Sequence, residues 1–333
     1  MLLIAAPYNF LGGSDKMAKY ILKRILQAIP LILLISIICF TLIQLAPYNA
    51  IDTMITPKMS VETVELIKAK YGFDKPVYVQ YLLWLKGIIG GEFGYSIINH
   101  QSISSDLVAR IPATIVLVLP SYLLAFIISI FLGLLSGSNK NKLVDKIIDG
   151  FCSIGIAVPS FWFAMIMIFI FGYKLSLLPI LGMNTIGREG SLIDFILHFI
   201  MPCTVLVIAF LPDLIRYVRS STIGQISEDY VMVQEAFGAS KSEILFKHVC
   251  KNVLLPIITK LGMALPMLIT GAMITETVFG WPGVGPYFVN AVRSLDYPII
   301  MAILLLSSTL VILGNLLSDI LYCLIDPRIK EMR

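Results

Sequence analysis

Five ionisable side chains lie within or at the ends of long apolar stretches and are the first candidates for chemistry in this sequence. They are Asp149, Asp213, Lys260, Glu276 and Asp319. An unpaired charge at a bilayer centre costs about 2.5 to 3.5 kcal/mol, so each must be paired, exposed to water or placed near a helix end. Carboxylates in such places could couple proton or sodium movement to transport, as in a secondary transporter. Because most of the five lie near the ends of their stretches, ordinary pairing is the favoured interpretation.

Glu276 stands apart because aromatic residues and a helix stop follow it closely. Phe279, Trp281 and the pair Pro282-Gly283 come directly after it at the end of an apolar stretch. We predict Glu276, Phe279 and Trp281 as candidates for an external gate. The competing interpretation is that Pro-Gly is an ordinary helix stop and that Trp281 is an anchor at the membrane interface.

The sequence carries no arrangement that is typical of an enzyme. It has no His-Glu-x-x-His and no Gly-x-Ser-x-Gly, and its histidines, His100, His198 and His248, are far apart. Its five cysteines are also widely spaced, which indicates neither a zinc site nor a disulfide framework. No Gly-x-x-x-x-Gly-Lys-Ser/Thr is present, so any ATP and magnesium must be bound by another subunit. We expect no catalytic, cofactor or metal residue in this chain.

The elements that hold these side chains must be membrane helices. Of the 333 residues, 58% are apolar and only 14% are charged, whereas about 25% of a typical soluble domain is charged. The charges are too few to cover a surface that faces water, which disfavours a soluble enzyme, and nothing suggests nucleic acid as a partner. We predict an all-α integral membrane protein.

Six stretches are long enough to cross a bilayer, which needs about 20 predominantly apolar residues in a helix. They cover residues 25–46, 112–137, 147–172, 193–216, 252–279 and 298–325. Fifteen Lys and Arg residues flank them on one side, against three in the short loops on the other side. Because cytoplasmic loops retain positive charge, both termini are predicted to be cytoplasmic.

These spans divide the chain into four regions. Residues 1–16 form an N-terminal extension ahead of a basic, amphipathic start at Met17, residues 17–46 hold the N-terminal flank and the first span, residues 47–111 form an external loop domain, and residues 112–333 form a five-helix core. In the external region, helical patterns begin near Val61 and after Pro76. A small cap over the external mouth and a pair of interfacial helices both fit this pattern, and both stay open.

The cytoplasmic segment 220–252 has the pattern of two short helices. Ser227 could cap the first helix, and Gly238 would end it in a left-handed turn. Ser240 and Glu243 fit a capping box that starts the second helix. Tyr230, Val233 and Phe237 share one face of the first helix, so they could contact a partner or pack on this chain's own helix ends.

A family resemblance is carried by many motifs in order along the chain. They include Lys70-Tyr-Gly-Phe-Asp-Lys-Pro-Val-Tyr, Gly91-Glu-Phe-Gly-Tyr-Ser, Arg110-Ile-Pro-Ala-Thr, the run from Glu228 to Pro256, Glu276-Thr-Val-Phe-Gly-Trp-Pro-Gly-Val-Gly and Asp326-Pro-Arg-Ile. With them, the chain resembles the permeases of bacterial ATP-binding-cassette importers, in the peptide and nickel branch. Two departures are visible. In the family motif a Glu-Ala pair lies six residues before a glycine, whereas Glu235-Ala236 lies only three residues before Gly238, and Met232 occupies the position six residues before it. The turn after the first span also differs from the family pattern and reads Ala46-Pro47-Tyr48-Asn49-Ala50.

The resemblance implies a type I importer fold, a bacterial cell membrane location and several partners. These are a second, homologous permease, two cytoplasmic ATP-binding subunits and an external substrate-binding protein. The implied cargo is an oligopeptide or dipeptide, with nickel or a metal chelate as the alternative. The implied ATPase-coupling residues are Tyr230, Val233, Glu235, Ala236, Phe237, Gly238, Ser240 and Glu243.

Overall fold

The computed structural model describes residues 11–45, 59–71, 74–254, 257 and 272–325, and nearly all of this part of the chain is helical. The helices are α1 (Leu11–Leu45), α2 (Val61–Tyr71), α3 (Val77–Ile89), α4 (Ile103–Ser138), α5 (Leu143–Ala157), α6 (Ser160–Met167), α7 (Leu192–Ile226), α8 (Asp229–Ala236), α9 (Lys241–Glu243), α10 (Met273–Val278), α11 (Val284–Arg293) and α12 (Tyr297–Ile325). Helices α6 and α9 continue as π-helical turns, Ile168–Lys174 and Ile244–Val249.

Four described helices are long and apolar enough to cross a membrane, and a bent pair of helices makes up to five. The four are Ile21–Leu45, Ile103–Ser138, Leu192–Ile226 and Tyr297–Ser318. They match the predicted first, second, fourth and sixth spans. Most of the predicted fifth span, 252–279, lies outside the described residues, so its course stays a prediction.

The predicted third span, 147–172, is wrong as a single helix. The chain forms α5 and α6 instead, with 95° between them. Val158 and Pro159 are extended at the break, with ψ angles of 118° and 131°. The cause is Pro159, which provides no amide hydrogen and disfavours the helical conformation of the residue before it.

Two further boundaries differ from the predictions. Helix α4 begins at Ile103, well before the expected start at Pro112, and α7 continues through Arg216 to Ile226. Proline inside a long membrane helix is tolerated because neighbouring groups can satisfy the freed backbone carbonyls. Pro112 therefore lies within α4 and does not start it.

Small residues allow α4 and α7 to form the closest helix pair of the described chain. A side-chain carbon placed on Gly133 would lie 2.4 Å from Cβ of Val218, and one on Gly137 would lie 2.6 Å from Cβ of Thr222. Ser121, Ala125 and Ser129 continue the same stripe at four-residue spacing and are buried. Small residues let helix backbones approach closely in a membrane, where van der Waals packing drives association.

The outer region is tied to α12 by a buried polar contact. Ser96 follows α3, and its hydroxyl donates to Oδ2 of Asp296 at 2.5 Å, immediately before α12 begins. Nearby, the Arg110 guanidinium lies 4.8 Å from the centre of the Tyr287 ring. Burial raises the pKa of the Tyr287 hydroxyl, so that group stays protonated. These contacts join Ser96 and Arg110, which precede the second predicted span, to α11 and to the segment between α11 and α12.

Candidate functional site

The segment predicted to be cytoplasmic forms two short helices after α7, arranged nearly as the sequence indicates. Glu228 occupies the N-cap position of α8 without a side-chain hydrogen bond, whereas Ser227 ends α7 and its hydroxyl donates to the Ile223 carbonyl at 3.1 Å. The prediction that Ser227 caps the first short helix is therefore wrong by one residue. The physical reason is that α7 extends ten residues beyond the expected end and uses Ser227 for its own last turn.

Gly238 ends α8 in the predicted left-handed turn, with φ of +79°. Its amide donates to the Glu235 carbonyl at 2.9 Å, and the Ala239 amide donates to the Gln234 carbonyl at 3.1 Å. This pair of hydrogen bonds is the Schellman motif, which satisfies carbonyls at a helix end. No atom lies within 4 Å of the position where a side chain would start, so the requirement for glycine comes from the backbone alone.

Ser240 caps α9, since its hydroxyl accepts from the Glu243 amide at 3.2 Å. This half of the predicted capping box is confirmed. The carboxylate of Glu243 accepts from Lys247 at 3.3 Å, one helical turn further along. An exposed pair of this kind contributes about 0.3 to 0.5 kcal/mol.

The predicted apolar stripe does not lie on one exposed face. Phe237 is 84% exposed and Val233 49% exposed, but Tyr230 packs against the α4–α7 core and its hydroxyl donates to Gln225 at 3.0 Å. Glu235 and Ala236 are exposed. Two further exposed apolar residues, Met232 and Phe246, were not predicted.

Three residues fix these short helices to the membrane core. Val231, Ile244 and Val249 are buried in the same apolar cluster as residues of α4, α5 and α7. The two short helices therefore pack against the α4–α7 pair through these side chains.

An ion pair between the buried Asp145 and the partly exposed Arg219 joins the start of α5 to α7, close to the end of α4. Asp145 accepts from Arg219 at 2.6 and 2.8 Å, from the Ser136 hydroxyl at 2.6 Å and from the Asn141 amide at 2.8 Å. Each of the two carboxylate oxygens of Asp145 therefore accepts two hydrogen bonds, which offsets the cost of burying the charge. Sequence reasoning singled out Asp149 instead, which is exposed and lies 3.5 Å from Arg216. Nothing in the local pattern distinguishes the two acids.

The outer turn, residues 276–285, places the three predicted gate candidates in the interior. Glu276, Phe279 and Trp281 are all buried. Oε2 of Glu276 accepts from the Gly285 amide at 2.8 Å and from the Thr114 hydroxyl. Its other oxygen, Oε1, is buried and has no hydrogen-bond partner within the described part of the chain.

Two glycines make room for this carboxyl. A side-chain carbon on Gly283 would lie within 3 Å of both the Glu276 carboxyl and the Thr114 hydroxyl, and one on Gly285 would lie 2.8 Å from Oε2. Thr114 in turn accepts from the Val284 amide at 2.8 Å. The Gly-x-Gly spacing thus allows one carboxyl and one hydroxyl to bind the turn to α4.

Trp281 is inserted beside α4 and does not act as an interfacial anchor. Its indole nitrogen donates to the Ala113 carbonyl at 2.8 Å, and its ring lies 6.0 and 6.4 Å from those of Phe195 and Phe199. The interfacial interpretation is wrong because Trp281 finds its hydrogen-bond partner inside the protein. A backbone acceptor near Pro112 could not be foreseen from the local sequence.

A second network joins the outer turn to α7. The Gly182 amide donates to the Phe279 carbonyl at 2.8 Å, and the Gly182 carbonyl lies 3.0 Å from Nδ1 of His198. Thr185 donates from its amide and hydroxyl to Asp194, at 2.6 and 2.7 Å. Sequence reasoning treated His198 only as an isolated histidine. The loop before α7 therefore binds the turn at Phe279, in addition to the contacts that α4 makes with Trp281 and Val284.

The long apolar helices define a multi-pass membrane protein. The family comparison agrees: residues 129–331 match the family described as binding-protein-dependent transport system inner membrane component, and residues 17–118 match its N-terminal region. The chain belongs to this family. It is a permease of the cell membrane.

Relatives cover nearly the whole chain. It is 40% identical over 315 residues to the oligopeptide transport system permease protein AppB of Bacillus subtilis, covering 94% of this chain and 100% of that protein. Identity to the oligopeptide permease OppB of Haemophilus influenzae is 35%, covering 94% and 100%. Identity to the glutathione permease GsiC of Escherichia coli K12 is 30% over 314 residues, covering 94% and 99%.

Proposed function

We propose that this chain is the membrane-spanning subunit of an ATP-driven importer that carries oligopeptides or dipeptides into the cytoplasm. The names of its relatives support a peptide cargo. A nickel or metal-chelate cargo is the alternative. Uptake of labelled peptide and of labelled nickel, compared in a deletion strain with and without this gene, separates the two. Loss of nickel uptake with peptide uptake intact would contradict the proposal.

The proposed partners are a second homologous permease, two cytoplasmic subunits that bind ATP and magnesium, and an external substrate-binding protein. The chain would thus contribute the pathway and no nucleotide site. In this proposal the chain crosses the membrane six times, with both termini in the cytoplasm. The outer turn at Glu276, Phe279 and Trp281 forms the external gate.

The observation that carries the coupling role is the fixed arrangement of α8 and α9. Their exposed Val233 and Phe237 are available to a partner, while the buried Val231 on the same helix holds α8 against the α4–α7 core. The proposed contact with an ATPase subunit involves the cytoplasmic residues from Tyr230 to Glu243. A movement of that subunit would therefore reach the membrane helices directly.

Co-purification tests the coupling role. Phe237→Asp places a charge at the proposed interface, where an unpaired buried charge is costly. We expect the chain to insert and pair with its partner permease while ATPase association and peptide uptake are lost together. Lys140→Asp, an exposed change in the turn between α4 and α5, is the control and should retain both. Stoichiometric ATPase subunits with Phe237→Asp would show that this surface is not the docking site.

The energy source distinguishes an ATP-driven importer from an ion-coupled transporter. We expect uptake to stop when the ATPase subunit is deleted and to continue when a protonophore is added with ATP held constant. The reverse pattern would favour ion coupling through the intramembrane acids.

Topology is tested by labelling single cysteines from outside the cell. Gln101 and Lys142 are both exposed, in the segment before α4 and in the turn after it. We expect a membrane-impermeant reagent to label Gln101→Cys and not Lys142→Cys. Labelling of Lys142→Cys in intact cells would contradict the six-span arrangement.

A further inference from the structure

The feature that carries a further inference is α3, an apolar helix too short to cross a membrane. Its 13 residues include one charged side chain, Lys86. Apolar helices of this length are typical of buried core segments or of segments that lie in the membrane interface. Among the described residues, none of the α3 side chains is buried, which excludes a core helix in this chain.

Contacts with α1 fix the depth of α3. The Tyr81 hydroxyl lies 2.8 Å from the Ser36 hydroxyl, and Gln44 donates to Gln80 at 3.0 Å. The Phe40 ring contacts Tyr81 and Trp84 with centre distances of 5.4 and 5.5 Å. All three contacted residues of α1 lie inside its membrane-spanning stretch, Ile21–Leu45.

These positions lie below the outer end of that stretch. At 1.5 Å per residue, Phe40 is about 8 Å and Ser36 about 13 Å along the axis from Leu45. Helix α3 must therefore lie at the depth of the outer half of the span. Ser36 is 1% exposed, and α3 shields this polar group, which would be costly if it faced hydrocarbon.

The side of α3 that points away from α1 is apolar. Tyr78, Leu82 and Ile89 are exposed along one stripe, with Lys86 at its edge. Ile37, Ile38 and Leu42 of α1 are also exposed, so both contacting helices present apolar side chains that the described protein does not cover. Long lysine side chains can bury their stems and extend the charge to the headgroups.

We propose that α3 lies in the outer leaflet and that its outward face binds the lipid bilayer. The external loop thus contains a membrane-embedded helix at Val77–Ile89, and this helix is not part of a cap that stands in water. Of the two arrangements that the sequence left open for this helix, this is the interfacial one. The proposal is independent of the cargo and of the energy source.

Spin-label accessibility in phospholipid bilayers tests the proposal. The full chain, reconstituted with the subunits that co-purify with it, carries one nitroxide at Leu82→Cys or Ile89→Cys, in a cysteine-free background that retains uptake. Gln101→Cys, in the exposed polar loop after α3, is the matched control. We expect both α3 labels to be reached by oxygen and shielded from a water-soluble nickel chelate, with an oxygen-to-nickel ratio several-fold higher than at Gln101.

Two outcomes overturn the proposal. Nickel access at Leu82 equal to that at Gln101 would place the face in water, as an external cap requires. Shielding from both reagents would show that another protein subunit covers it. A benzophenone side chain at Leu82, introduced without removing the native cysteines, gives a second measurement: it should cross-link to phospholipid, and cross-linking only to protein would contradict the proposal.

Discussion

At the scale of single residues, the carboxyl of Glu276 gives a sharp prediction. Glu276→Ala leaves the Gly285 amide and the Thr114 hydroxyl without their acceptor, and each unsatisfied buried group costs about 1 to 3 kcal/mol. Glu276→Gln keeps an oxygen for both donors. We expect Glu276→Ala to lower the unfolding temperature, followed by tryptophan fluorescence, and Glu276→Gln to change it little. Equal unfolding temperatures for Glu276→Ala and the wild type would show that these bonds contribute no stability.

Gly238 gives a second prediction at this scale. Its φ of +79° costs a residue with a side chain about 1 to 2 kcal/mol, and most for a β-branched one. We expect Gly238→Val to re-aim α9 and reduce ATPase co-purification and uptake together. Gly238→Asn is the control, because asparagine tolerates the left-handed turn, and it should retain both. If valine and asparagine behave alike, the turn geometry does not determine docking.

Residues that the sequence identified correctly share one property: their role depends on neighbours in the chain. Gly238 and Ser240 act through amides within five residues, so their types and spacing were sufficient. Thr114 could not be found in this way, because its partner Val284 lies 170 residues further along. Burial of Glu276 and Trp281 depends on the same distant contact with α4.

At the scale of helices, the α4–α7 contact predicts opposite effects for two glycine substitutions. A methyl group on Gly133 would meet Val218 at 2.4 Å, whereas one on Gly150 in α5 would meet no atom within 4 Å. Overpacking costs about 1 to 3 kcal/mol, and alanine is favoured over glycine in an open helix position. We expect Gly133→Ala to lower the unfolding temperature and Gly150→Ala to maintain or raise it. A lower value for Gly150→Ala alone would contradict the packing described.

The two acids of α5 provide another comparison between helices. Asp145→Asn weakens a nearly buried network that joins α4, α5 and α7, whereas Asp149→Asn removes an exposed pair worth about 0 to 1 kcal/mol. We expect the unfolding temperature to fall more for Asp145→Asn. A larger effect of Asp149→Asn would mean that the exposed pair has the greater structural role.

Helix limits were predicted well where composition changes sharply and poorly where it does not. Gly238 correctly predicted the end of α8. The residues beyond Arg216 are mostly polar, so the apolar pattern ended there although α7 continues to Ile226. Pro112 and Pro159 are the same residue type with opposite outcomes, one inside a helix and one at a 95° bend. The difference comes from tertiary packing, which a local pattern does not contain.

For the molecule as a whole, composition was sufficient to predict a multi-pass helical membrane protein, whereas the family motifs were needed to identify a permease. Apolar stretches of about 20 residues can be identified from the sequence alone, because the thickness of the bilayer sets this length independently of tertiary contacts. The arrangement of the outer turn carries no such signal, since it depends on four segments meeting around Trp281. The sequence motif predicted where the outer turn lies in the chain but not that its side chains are buried.

The apolar cluster that includes Val231 and Ile244 also reaches Tyr122 in α4. From Leu134 to Tyr122, both in this cluster, α4 rises about 18 Å. Protein interiors have low compressibility, so a displacement of Val231 in α8 would be transmitted through this cluster toward Tyr122 in α4.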